Sequence, residues 1–178
     1  LPNITIIIPT NNSFTNDSNQ DVNFTLVETN ADSCWYTNDT LSLNTTLANC
    51  INLTTVTWSE GQHNVTIYSN DTLNNVQSEV VTFYIDTLNP GISYTGPTTL
   101  NNTNQSNLNI FINVSITEIN EDTVTFIIHN STGLFNESKY TNNKHSINVS
   151  INTDGIYSFN VTVNDSAGNS NSTRTRTL

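Results

Sequence analysis

The sequence predicts an all-β protein made of two copies of one small sandwich domain. Three observations carry that reading. Residues 61–72 align without a gap on residues 155–166, a repeat 94 residues apart. Within it Gly61 meets Gly155, Val65 and Ile67 meet Phe159 and Val161, and Asn70-Asp71-Thr72 meets Asn164-Asp165-Ser166. Self-similarity at a fixed spacing is the mark of a repeated unit. Apolar residues also alternate with polar ones, as at Leu108, Ile110, Ile112, Val114 and Ile116, and a period of two belongs to strands. Finally, Pro90 and Gly91 punctuate the middle of the chain, where a new β-pattern begins.

The chain has 178 residues, so each copy holds about 90, the size of an immunoglobulin-like sandwich. The expected domains are residues 1–88 and 89–178, two tandem immunoglobulin-like β-sandwiches joined by a linker too short to swing freely. Hydrophobic residues make up only 34% and charged residues 11%. Low hydrophobicity alone points toward disorder, but disordered tracts have no need of the ordered alternation seen here.

Net charge is −11 and unevenly spread. Residues 1–88 hold nine acids and no Lys or Arg; residues 89–178 hold six acids against Lys139, Lys144, Arg174 and Arg176. Such a chain has no footprint for nucleic acid or anionic lipid. Methionine is absent, which marks a processed chain or a fragment. No apolar run is long enough to span a bilayer and no signal peptide remains, so any membrane anchor is expected outside this stretch.

The compartment is marked by Asn-x-Ser/Thr sequons. They start at Asn3, Asn11, Asn16, Asn23, Asn38, Asn44, Asn52, Asn64 and Asn70, and then at Asn101, Asn104, Asn113, Asn130, Asn136, Asn148, Asn160, Asn164 and Asn171. Composition alone would give about nine, half of these. A second source competes with glycosylation. Asn and Thr two apart face outward together on a strand, so polar-out patterning makes sequons unaided. The expected protein is extracellular, at the cell surface, and carries N-linked glycans.

Taken in order, residues 1–9 read as a strand between prolines, with Ile4, Ile6 and Ile8 on one face and Ile7 on the other. Val22, Phe24 and Leu26 alternate next. Residues 33–37 form a strand, and Cys50 follows Cys34 by 16 residues. Two cysteines in an extracellular chain predict one disulfide, Cys34–Cys50. The rival is metal, but two Cys without a nearby His pair do not make a zinc site. Residues 53–58 read as a short strand. His63 aligns with Tyr157, where sandwiches of this kind place a corner tyrosine, so its expected role is structural. Val81, Phe83 and Ile85 close the first domain. In the second, residues 108–116 form an inward-facing strand, residues 118–122 an acidic loop, Val124, Phe126 and Ile128 a strand, and residues 129–144 a polar hairpin. Ile147, Val149 and Ile151 form another strand. Residues 172–178 put Thr173, Thr175 and Thr177 on one face and Arg174, Arg176 and Leu178 on the other. Such a strand covers a core weakly.

The chemistry-bearing residues are sparse. His63, His129 and His145 sit in separate segments with no motif-placed nucleophile. No phosphate-cradling Gly loop or metalloprotease helix motif occurs, so no catalytic residues, no enzyme activity and no cofactor are expected. Glu118, Glu121 and Asp122 on one loop offer hard oxygen ligands for Ca²⁺, although acidic loops are usually just solvated.

The stretch Ser33-Cys34-Trp35-Tyr36, the glycine before His63 or Tyr157, the Asn-Asp-Thr/Ser turns and the run from Asn164 to Asn169 occur together, followed by Ser/Thr-rich closing strands. Together they resemble the tandem Ig-like repeat domains of archaeal and bacterial cell-surface proteins, the Asn/Thr-rich archaeal type above all. The resemblance covers nearly the whole chain. It implies stalks, surface-layer parts, adhesins or filament subunits, and supplies no catalytic residues.

The ends carry the assembly expectation. Ile4, Ile6, Ile7 and Ile8 form a strand that is apolar on both faces, and Arg174, Arg176 and Leu178 end a weakly covering one. Donation of the first strand to the second domain of the next copy would satisfy both. The acidic first domain would meet the arginines, and a contact that does not close on itself makes a filament. The plainer reading makes residues 4–8 the first strand of their own domain. The expected function is therefore a structural subunit of an extracellular filament, a pilus-like appendage or a surface-layer stalk, partnered by copies of itself. The alternative is an adhesin that recognises a glycan or another cell.

Overall fold

The computed structural model describes residues 1–39 and 41–178. Thr40 lies outside the described residues, and with it the hydroxyl residue of the Asn38 sequon. The chain is all-β and divides into two compact units, Leu1–Thr87 and Leu88–Leu178.

In the first unit a five-stranded sheet faces a two-stranded one. The larger sheet runs β2 (Ser13–Thr15), β7 (Val76–Ile85), β6 (Gly61–Asp71), β4 (Ala31–Asn38) and β5 (Leu41–Thr46). The smaller pairs β1 (Asn3–Ile8) with β3 (Asn23–Val27). Inward side chains alternate as the pleat requires. Val22, Phe24, Tyr36, Val65, Ile67, Val81, Phe83 and Ile85 fill the core, joined by Leu53 and Trp58 from the loop between β5 and β6.

The second unit repeats the plan. Its larger sheet runs β11 (Gly133–Tyr140), β10 (Glu121–Asn130), β13 (Ser158–Asp165) and β14 (Ser170–Ser172), and β15 (Arg176–Thr177) also pairs with β13. Its smaller sheet runs β12 (Ser146–Ser150), β9 (Asn109–Thr117) and β8 (Gly91–Tyr94). Ile110, Ile112, Val124, Phe126, Ile128, Phe159, Val161 and Val163 are buried at its centre.

Several sequence expectations need correction. Residues 53–58 do not form a strand; Leu53 makes a single bridge to Val22. The indole Nε1–H of Trp58 instead donates to Gln20 O at 2.8 Å, which fixes the ring inward. Ile8 does not share the inward face of Ile4 and Ile6. The β1–β3 register shifts between Ile6 and Ile8, and Ile8 is exposed. Leu108 precedes β9 and is also exposed.

The last strand is the largest correction. It does not leave its unit poorly covered. Thr173 is buried, and its hydroxyl accepts the Val161 N–H at 2.9 Å, so a polar side chain sits inward without an orphaned group. Leu178 packs against the core and exchanges both backbone hydrogen bonds with Tyr157. On the other edge, Thr177 O accepts from Asn102 N and Thr177 N donates to Asn101 Oδ1. Arg176 lies 4.2 Å from the Tyr94 ring centroid and donates to Thr99 O. That guanidinium is committed within its own unit, whereas Arg174 is exposed.

Candidate functional site

The repeated stretch builds the same two devices in both units. At its start the ring of His63 is buried, and its Nε2–H donates to Ser59 O, four residues back, at 2.8 Å. Tyr157 stands in the same place, and its hydroxyl donates to Thr153 O, also four residues back, at 3.0 Å. Both rings therefore tie the incoming chain to its strand, the corner role expected of an aromatic at this point. His63 adds a contact to the Asp39 carboxylate at 3.1 Å and packs between Trp58 and Phe83.

At the end of the stretch the acids Asp71 and Asp165 are buried and organise identical turns. Oδ1 of Asp71 accepts from Leu73 N and Asn75 N, and Oδ2 accepts from Asn75 Nδ2 at 2.8 Å. Oδ1 of Asp165 accepts from Ala167 N and Asn169 N, and Oδ2 from Asn169 Nδ2 at 2.8 Å. A carboxylate caps a turn well because it can accept several N–H groups at once. The Asn75 side chain, followed by its backbone N–H, holds the Asp71 carboxyl below the usual carboxylate range, against the opposing effect of burial. These acids are turn caps, and sequence reading found the motif without finding its purpose.

The other two histidines have different settings. His145 Nε2 lies 2.8 Å from Glu121 Oε2. His129 is exposed on β10. No Ser or Thr hydroxyl is hydrogen-bonded to a histidine among the described residues. Glu118 accepts from the N–H groups of Ile119 and Asn120, and Asp122 accepts from the Thr123 hydroxyl. The three acids proposed for Ca²⁺ thus serve separate partners, and among the described residues Glu121 and Asp122 do not join Glu118 in one ligand set.

Cys34 and Cys50 are bonded, with Cα atoms 5.1 Å apart. All the sequon asparagines are exposed or half-buried. Asn70, Asn113 and Asn171 use the amide nitrogen that a glycan would occupy: Asn70 donates to Asp32, Asn113 to Gly96 O, and Asn171 to Pro90 O.

Sequence reading missed one surface. On the outer face of the larger sheet of the first unit, Trp35 of β4 stands opposite Tyr68 of β6. Their rings lie 5.5 Å apart with planes 2° from parallel. Farther along the same face, Phe14 of β2 stacks on Tyr84 of β7 at 4.6 Å. Only the strand register brings these residues together. Trp35 and Tyr68 are 33 positions apart in sequence, and no local motif announces them.

No family model matches the chain, and no curated protein matches it either. Solved structures do. The fibronectin(III)-like modules of Clostridium thermocellum CbhA superpose with a TM-score of 0.54 at 14% identity, covering 96% of this chain and 92% of that one. A tetra-tandem repeat from the extending region of a large adhesion protein gives 0.37 at 16% identity, over 99% of this chain and 48% of that one. Bacteroides ovatus SGBP-B, from a mixed-linkage glucan utilization locus and in complex with a heptasaccharide, gives 0.36 at 10%, over 98% and 47%. At these identities the likeness is one of fold. The chain has the β-sandwich fold of fibronectin(III)-like modules.

Proposed function

We propose that this chain is a non-enzymatic, extracellular, N-glycosylated structural module: a subunit of a filament or pilus-like appendage, or a stalk segment of a surface layer, of the Asn/Thr-rich archaeal type. Residues 1–88 and 89–178 act as its two repeat domains. The observation that carries this reading is the economy of the titratable groups. The acids of the repeated stretch cap turns, His63 pins a corner, and Glu121 pairs with His145. The disulfide and the surface-lying sequons favour an oxidising, glycosylating compartment. The fold neighbours, modules and repeats of larger proteins, are consistent with such a role.

The assembly mode changes from the sequence expectation. Ile4 is buried in its own unit and β1 is paired with β3. Donation would require β1 to leave that pairing, and the receiving edge is already filled by β14 and β15. Head-to-tail contact between closed units, with the acidic first half meeting the exposed Arg174, needs no such exchange. Removing residues 1–9 is expected to unfold the first unit, because it takes away a core strand. Electron microscopy of native material tests the reading. Polymers or ordered arrays are the expected result, and dispersed single molecules would count against it. The adhesin reading rests on the Trp35–Tyr68 pair and would be favoured by saturable binding of free oligosaccharides.

A further inference from the structure

We propose that the Trp35–Tyr68 pair is the resting platform of the chain's own N-linked glycan, carried on Asn64. This rests on the glycosylation reading above and deepens it. Asn64, Thr66 and Tyr68 alternate outward along β6, whose register with both neighbouring strands is unbroken here. The sequon asparagine, its threonine and the platform tyrosine therefore lie in one row on one face. From Asn64 to Tyr68 is about 13 Å along the strand, four residues at the usual rise. That is the reach of a linked disaccharide.

The amide is oriented for this path. Oδ1 of Asn64 accepts the Thr82 hydroxyl at 2.6 Å. Thr82 belongs to β7, on one side of β6, so the amide nitrogen is turned away from that strand, and Trp35 stands on β4, on the other side of β6.

The surface has the chemistry of a saccharide cradle. Between Asn64 and the ring pair lie Thr37, Thr66 and the exposed side chain of Val80, in one cross-strand row. None is charged. Sugar rings present C–H faces and hydroxyl rims, and the faces suit aromatic planes while the rims suit threonine hydroxyls. One shallow pair would hold a free sugar poorly, because association costs translational and rotational freedom. A tethered glycan has already met that cost, and its effective concentration over the platform is in the mM range.

The test uses protein purified from the producing cells. Glycopeptide mass spectrometry reads occupancy at Asn64, and NMR reads the sugar C–H protons, which ring currents move upfield when they lie over an aromatic face. Expected are an occupied Asn64, upfield shifts relative to the released glycan, and loss of those shifts in Trp35→Ala with occupancy unchanged. Melting of the variant confirms that it is folded. If Asn64 is occupied but its sugars show free-glycan shifts, or Trp35→Ala leaves the shifts in place, docking is wrong and glycosylation stands. If the shifts survive Asn64→Gln and vanish in Asn44→Gln, the assignment to Asn64 is wrong. An unmodified Asn64 removes both.

Discussion

The two units place the same five inward positions along their central strands, and in one row an apolar pair in the second unit gives way to a disulfide cysteine and a serine in the first. In the second unit Val124 faces Val163 across β10 and β13. In the first, the corresponding row pairs Cys34 with Ser69 across β4 and β6. Val163 is fully buried and packed. Ser69 is equally buried, and its hydroxyl has no hydrogen-bond partner. A buried unpaired hydroxyl costs about 1–3 kcal/mol. The first unit offsets such a loss with a covalent link at the same row, the Cys34–Cys50 bond. One sandwich is held by packing alone, the other by packing plus a staple.

Removing the staple should give the largest effect. Closing a loop of this length stabilises by about 3 kcal/mol in the chain-entropy model. Reduction, or Cys34→Ala with Cys50→Ala, should lower the calorimetric transition of the first unit and leave that of the second in place. Equal loss in both units would break the comparison.

Exchanging the row should give the next effect. Val163→Ser loses apolar burial and creates an orphaned hydroxyl, a cost of about 2–3 kcal/mol to the second unit. Ser69→Ala removes the orphan from the first unit and should stabilise it by about 1 kcal/mol. Urea unfolding of each variant measures both. A destabilised Ser69→Ala would mean that the hydroxyl has a role that burial conceals.

The turn caps give the smallest and most conditional effect. The folded-state pKa of Asp71 lies below its unfolded value, so the unfolded chain binds the proton more readily. The stabilisation is fully present above the ordinary carboxylate range and is lost as pH falls through the folded value. The first unit's melting temperature should drop across that acid window. Asn75→Ala, which removes the largest cause of the lowered pKa, should shrink the drop. An unchanged acid dependence would show that other carboxylates govern it.

What the sequence revealed and what it hid follow one division. Alternation at Val65, Ile67, Phe159 and Val161 was readable because side-chain facing is a local property of a strand. The Cys34–Cys50 bond was readable because only two cysteines exist. The closing strand misled because threonine looks like a poor core residue until its hydroxyl finds a backbone N–H, as Thr173 does at Val161. Residues 53–58 misled because Trp58 is apolar in composition, yet it is anchored by one long-range hydrogen bond rather than by a ladder. The Trp35–Tyr68 surface was invisible because it is a product of register, and register is set by the whole sheet.

The central claim is that each unit is complete on its own, with its first and last strands at home. Native-state hydrogen exchange on the monomeric chain tests it most directly. Amides along β1 that bond to β3, and those of Thr173 and Leu178, should be protected to nearly the global stability of their own unit. If they exchange freely in the monomer and gain protection only in an assembled polymer, the strands are shared between copies and the account of two closed sandwiches is wrong.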